Sequence, residues 1–235
     1  MKIFRRIAVI GMVSLMGLVA GSPAQAGGTD SRIDGATKRA AGFTVGQLIG
    51  EEYRQLLELP IADNPLAGNG NNCLSAGRKH KVLILFTVPD SKPPAVCTIK
   101  AGTPVFFSSV GGECSSVEAA PFFGKNAREQ RRCIVDFVRS ASVEAILVSI
   151  DGKAPVNIRS ERFLAVSRQR TVQLPDPNIL GVADRQATIV AAAYSVLLRR
   201  LSPGTHTINV TVVSSDTSLA GTNRAIVTVQ SGHRN

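Results

Sequence analysis

The stretch from Tyr194 to Val213, YSVLLRRLSPGTHTINVTVV, constrains the fold of this chain more than any other. Ser202-Pro203-Gly204-Thr205 separates two apolar runs. Proline at the second turn position and glycine at the third fit a type II turn, because the third position takes a positive φ. Beyond the turn, His206, Ile208, Val210 and Val212 alternate with Thr205, Thr207, Asn209 and Thr211. That period of two is the mark of a strand with one buried face. The stretch predicts a β-hairpin in the core of an all-β domain.

The N-terminus reads as a secretory signal. Lys2, Arg5 and Arg6 form a charged start, Ile7 to Val19 is apolar, and Ala24-Gln25-Ala26 is a small-x-small cleavage site. The apolar segment is short for a membrane span. Cleavage after Ala26 leaves Gly27 to Asn235, enough chain for one large β domain. It also lowers the net charge from +10 to +7, since the signal carries three basic residues and no acidic one. This balance suggests weak attraction to anionic polymers or membrane surfaces, with solubility as the bland reading; the expected partner is an anionic envelope polymer or another envelope protein. The basic residues are scattered and the chain has no tryptophan, which argues against a stacking groove for nucleic acid. The mature chain holds no transmembrane segment.

Four cysteines in an exported chain imply two disulfides, with three possible pairings. They are Cys73, Cys97, Cys114 and Cys133. Placing Cys73 at the entry to one strand and Cys97 on its neighbour favours a Cys73–Cys97 bridge, which leaves Cys114 with Cys133. No C-x-x-C occurs and no histidine sits at ligand spacing, so zinc is not expected.

Taken in order, residues 27–42 are small, polar and basic and read as a flexible leader. Thr44 caps a helix over Val45 to Leu57, which Leu59-Pro60 ends. The glycines of Asn64 to Asn72 mark a connecting loop rather than a phosphate cradle, because no Lys-Ser/Thr follows. Val82 to Val88, Val96 to Ile99 and Val105 to Phe107 read as strands. Asn126 and Glu129 form a capping box for a second helix near Ala127 to Ser140. Its Arg128, Arg131, Arg132 and Arg139 read as a solvated basic face, with anion binding as the functional alternative. Val143 to Ile150 is a strand that ends in an Asp151-Gly152 turn. Phe163 to Val166, Thr171 to Leu174 and Arg224 to Gln230 are further strands, Ile189 to Leu201 is a long apolar run, and residues 232–235 are a polar tail.

Catalytic motifs are absent from the mature chain: it has no Gly-x-Ser-x-Gly and no H-E-x-x-H. His80 lies in a basic lead-in and His233 in the tail. His206 shares a face with Ile208 and Val210, which suits a satisfied core histidine better than a general base. Glu113 with Glu118, and Asp151 with Asp176, are the carboxylate pairs a glycosidase would draw on. No calcium-loop spacing occurs, and no cofactor is expected.

One ordered set of motifs extends over most of the chain. Leu59-Pro60 and Asn64-Pro65 are followed by a Cys loop and VLILF, then CTIKAGTPVFF, GGEC, PFFG with RRC, SIDG, LPDPNILG and LSPGTHTI. In this order the chain resembles a family of secreted bacterial proteins of uncharacterised activity, over Glu52 to Val229. Members carry tryptophans in the leading helix and in the strand after the first cysteine, where this chain has Tyr53 and Leu85-Phe86. The resemblance implies a secreted, disulfide-linked β protein and no particular activity.

The combined expectation is a single antiparallel β-sandwich domain over residues 43–231, with two peripheral α-helices and stabilised by disulfides. Three functions fit it. The first is a non-catalytic exported protein that binds an envelope component. The second is a secreted hydrolase acting on polysaccharide. The third is an assembly subunit that pairs through an exposed strand such as Ala225 to Val229.

Overall fold

The computed structural model describes residues 30, 32–78, 81–87, 94–199 and 201–231. The signal segment 1–26 with its cleavage site after Ala26, His80, and the tail with His233 lie outside the described residues.

In chain order the strands begin with β1 (Ile33–Asp34), β2 (Arg39–Ala40) and β3 (Phe43–Thr44), followed by helix α1 (Val45–Glu58). Then come β4 (Cys73–Ala76), β5 (Val82–Leu85), β6 (Ala95–Lys100) and β7 (Val105–Ser115), followed by helix α2 (Ala127–Ser140). The remaining strands are β8 (Val143–Ile150), β9 (Val156–Asn157), β10 (Leu164–Val166), β11 (Arg170–Gln173), β12 (Gln186–Leu198), β13 (Gly204–Ser214) and β14 (Gly221–Gln230).

The protein is mainly β, with two α-helices and two disulfides. A seven-stranded sheet runs β1-β12-β7-β5-β4, with β10 and β11 also on β12. A five-stranded sheet runs β6-β14-β13-β8-β9, and β2 and β3 form a small hairpin. The sheets are mixed rather than antiparallel throughout: β5 runs parallel to β7, and β6 runs parallel to β14.

The predicted hairpin at residues 194–213 is also corrected. Its two arms lie in different sheets: β12 pairs with β7, while β13 pairs with β14 and β8. The chain bends at Pro203 and Gly204 takes a positive φ, but this segment passes the chain from one sheet to the other. The reason lies in β12, where every residue from Ile189 to Leu198 is buried. A strand buried on both faces belongs in the middle of a sheet. β7 occupies one edge of β12, and β11, β10 and β1 line up in turn along the other.

Successive residues of β12 feed two separate apolar clusters. Val190, Ala192, Tyr194, Val196 and Leu198 join Ile146 and Val148 of β8, Ile208 and Val210 of β13, and Ile134 and Val138 of α2. Ile189, Ala191, Ala193 and Leu197 point the other way and meet Val45, Leu48, Ile49 and Leu57 of α1. α1 keeps this register because its buried positions recur every three or four residues. The Thr44 side chain accepts from the Gln47 backbone N–H at 3.1 Å, and the Gln47 side chain accepts from the Thr44 N–H at 2.9 Å, which closes a capping box.

α2 is fixed at three points. Asn126 accepts from the backbone N–H groups of Arg128 and Glu129. Glu129 turns back to the Lys125 N–H, one residue earlier than a capping box requires. Buried Gln130 donates to the carbonyls of Gly124 and Thr188, which anchors the helix to β12. Beneath the helix, β7 bulges at Val110, and Gly111 sits where a Cβ would strike Ala193.

Two further expectations change. The segment read as a flexible leader is packed from Arg32 onward: Ile33 is buried, and β1 pairs with Leu197 and Leu198. Ala225 to Val229 is not an exposed edge, because β14 is paired on both sides, with β13 and β6. The chain alternates there between buried and half-buried residues, as an interior strand with one face on the core does.

Candidate functional site

α2 carries Arg128, Arg131, Arg132, Val135 and Arg139 along one flank, beside its buried stripe of Gln130, Ile134 and Val138. The spacing of three, four and seven residues places them on adjoining turns. Glu161 and β10, through Leu164 and Val166, form the opposite wall. Together they enclose a cleft of about 400 Å³. Val135, Leu164 and Val166 are half-buried and rest on the larger apolar cluster, so the floor is apolar and the rim is cationic.

Charge is uneven along this rim. Arg139 donates from Nε and Nη2 to the two oxygens of Glu161, at 3.1 and 2.9 Å. Among the described residues, Arg128, Arg131 and Arg132 have no ion pair. A guanidinium fork matches a phosphate or carboxylate edge, so three free forks on one flank suit an anion. The arginine stripe was legible in the sequence. Its opposite wall was not, because Glu161, Leu164 and Val166 reach it only through the fold.

The structure places the other singled-out residues as follows. Of the three possible cysteine pairings, it has Cys73–Cys97 and Cys114–Cys133. The first ties the edge of one sheet to the edge of the other, and the second ties β7 to α2.

His206 is 6% exposed and has both ring nitrogens occupied. Nδ1 lies 2.9 Å from an Asp151 carboxylate oxygen and Nε2 lies 2.8 Å from the Ser202 carbonyl. Both ring nitrogens are thus within hydrogen-bond distance of an oxygen. This leaves no free ring nitrogen for base chemistry. Asp151 also accepts from Arg32 at 2.9 Å and from the Thr207 backbone N–H at 3.0 Å. Burial raises the Asp151 carboxyl, but the bonds from His206 and Arg32 outweigh it and hold the group below the usual range. Asp176, its candidate partner, is paired with Arg185 instead.

Glu113 and Glu118 are brought within electrostatic reach of each other, in company that the sequence reading missed. Glu52 and Tyr53 of α1 face the same region of β7. Glu52 is fully buried, and neither carboxylate oxygen makes a well-formed hydrogen bond. Burial pushes it up to about 8, and the Ser108 hydroxyl beside it offsets little of that. Burial, then the neighbouring Glu118 charge, pushes Glu113 to about 8 as well. Burial also raises Glu118, and it takes Tyr53 well above its ordinary value. At about 8, Glu52 and Glu113 hold their protons at neutral pH. The signal for Glu52 was its place in the apolar stripe of α1, three residues after Ile49 and four before Leu56.

No group of three or more His, Cys, Asp or Glu among the described residues is arranged to hold a metal ion. No helix among them is long and apolar enough to cross a membrane.

No family model matches the chain, and no curated protein matches it. A solved structure described as "Structure of PbICP-C in complex with falcipain-2" aligns with 65% of this chain and 99% of its own, at 14% identity and a TM-score of 0.21. A likeness that faint carries no argument for fold or function.

Proposed function

We propose that this is a non-catalytic exported protein that binds an anionic envelope polymer through the arginine cleft between α2 and β10. The observation that carries the reading is the set of three guanidiniums, Arg128, Arg131 and Arg132, that have no ion pair among the described residues and stand on the rim of a cleft of about 400 Å³. The +7 balance of the chain after Ala26 adds long-range attraction for such a ligand. Two disulfides fit an oxidising compartment, in line with the signal-like first 26 residues and a secreted or periplasmic location. We read the two large sheets, which contribute to one apolar cluster, as the layers of a sandwich with α1 on its outer face. The test is retention of the oxidised, signal-free protein on immobilised polyphosphate, compared with the triple variant R128Q/R131Q/R132Q. Loss of retention in the variant supports the reading, and equal retention contradicts it.

A secreted hydrolase is the second reading, favoured by the coupling of Glu113 and Glu118. It requires polysaccharide cleavage that Glu113→Gln abolishes. Sealing of the adjoining Glu52 from solvent weighs against it.

A further inference from the structure

The cleft is chemically divided along its length. Arg128, Arg131 and Arg132 lie within one turn of α2, a rise of about 6 Å. From Arg132 to Arg139 the helix rises about 10 Å more, with Val135 between them, and the facing wall runs from Glu161 at Arg139, through Leu164 and Val166, toward Gln169 at Gln130. At its far end Arg139 is already neutralised by Glu161. Among the lining residues, free positive charge is therefore confined to one end, Val135, Leu164 and Val166 supply apolar surface beside it, and the neutral Arg139–Glu161 pair stands at the other end.

Resting on the anion-binding reading above, we propose that the ligand of this cleft is an anionic amphiphile, with a phosphate-type head on Arg128, Arg131 and Arg132 and an aliphatic stem along Val135, Leu164 and Val166. An extended polyanion laid along the same path would leave the apolar floor against charged groups. At the far end it would meet the Arg139–Glu161 ion pair, which offers no net positive charge to hold it. A compact head answers the three free forks, each able to donate two parallel bonds to phosphate oxygens. A stem of methylenes covers the floor and ends before the carboxylate. On this reading the part of an envelope polymer that is recognised is a phosphate-bearing end attached to an apolar chain.

Such a phosphomonoester occurs on a membrane lipid or on a free soluble molecule, and the experiment separates the two. The oxidised, signal-free protein is titrated with inorganic phosphate, butyl, hexyl, octyl and decyl phosphate, and 1-decanol, each below its aggregation threshold. Affinity is expected to rise about fourfold per added methylene until the floor is covered, then to level off. It is expected to fall at least about tenfold in R128Q/R131Q/R132Q. Phosphatidylcholine vesicles with and without phosphatidic acid form the second arm. Selective binding to the acidic vesicles assigns the head to a lipid, and binding to the soluble series alone assigns it to a free ligand. Either result supports the amphiphile. Equal affinity for inorganic and decyl phosphate, with both lost in the triple variant, overturns the amphiphile and leaves the anion site standing. Decanol binding as tightly as decyl phosphate also overturns it. No binding of any phosphate or of polyphosphate overturns both.

Discussion

The His206 imidazole lies 2.9 Å from the Asp151 carboxylate, and this contact joins three distant parts of the chain. Asp151 ends β8 in a tight turn, His206 opens β13, and Arg32 enters from the segment before β1. The same carboxylate accepts from His206, from Arg32 and from the Thr207 backbone N–H. Asp151 has a φ of 56°, a conformation that asparagine also tolerates. Asp151→Asn keeps the turn and removes the charge. It is expected to cost about 1–2 kcal/mol near neutral pH, a charged hydrogen bond discounted for partial exposure. Urea unfolding checks this, and a loss under about 0.5 kcal/mol would show the contact to be incidental.

The pH dependence of stability has two limbs of opposite sign. Burial raises the Glu51 carboxyl, but the Arg54, Gln55 and Arg170 contacts outweigh it, so the group ends below its ordinary value, as Asp151 does. Their contribution is present above the unfolded values and is lost as the pH falls through the folded ones. Glu52 and Glu113 behave in the opposite way. Each is raised from 4.5 to about 8, so between those values the folded protein holds more protons than the unfolded chain. Stability therefore falls as the pH rises from about 4.5 to about 8 and levels off above.

Glu52→Gln isolates the second limb, because glutamine resembles the protonated acid at all pH values. Relative to the parent, the variant is expected to gain on the order of 2 kcal/mol between about pH 5 and about pH 8. The measurement is denaturant unfolding at both values. A difference between variant and parent that does not change with pH would mean that Glu52 finds a partner when ionised.

The disulfides are expected to differ in what they hold. Each closes a loop of about twenty residues, which corresponds to about 3 kcal/mol in chain entropy. Replacing Cys73 and Cys97 together with alanine lowers stability by about that amount and leaves the arginine cleft intact. Replacing Cys114 and Cys133 also frees α2 from β7, so anion binding weakens along with stability. Unfolding and binding assays on both double variants check the contrast. Equal binding in the two would separate the cleft from the α2 tether.

Local signals were read from the sequence with little loss. Thr44 caps α1 and Asn126 caps α2, because capping depends on residues within one turn of the chain. Partner choice was less legible. Ser202 to Thr205 specify a reversal of direction, but nothing in the turn says that its arms must pair with each other. The burial of β12 on both faces decides that, and it requires partners as distant as β7 and β1. β7 also runs on past Phe107 to Ser115, through a Gly111-Gly112 pair that reads as a break. Those glycines are tolerated there because Ala193 and Ile134 crowd the positions where side chains would go. In the cleft, the helical flank followed from spacing within α2. The wall from β10 is non-local and has no sequence signature.

The most direct measurement is the salt dependence of polyphosphate binding by the oxidised, signal-free protein and by R128Q/R131Q/R132Q. The series runs from about 20 mM to about 500 mM salt, across the range where screening of exposed charges becomes strong. The three arginines are exposed, so the variant is expected to melt with the parent. It is expected to bind at least about tenfold more weakly at low salt and to show a shallower dependence on salt. Binding of equal strength and equal salt slope in the two proteins would place the anion elsewhere on the surface and contradict the assignment of the α2 cleft.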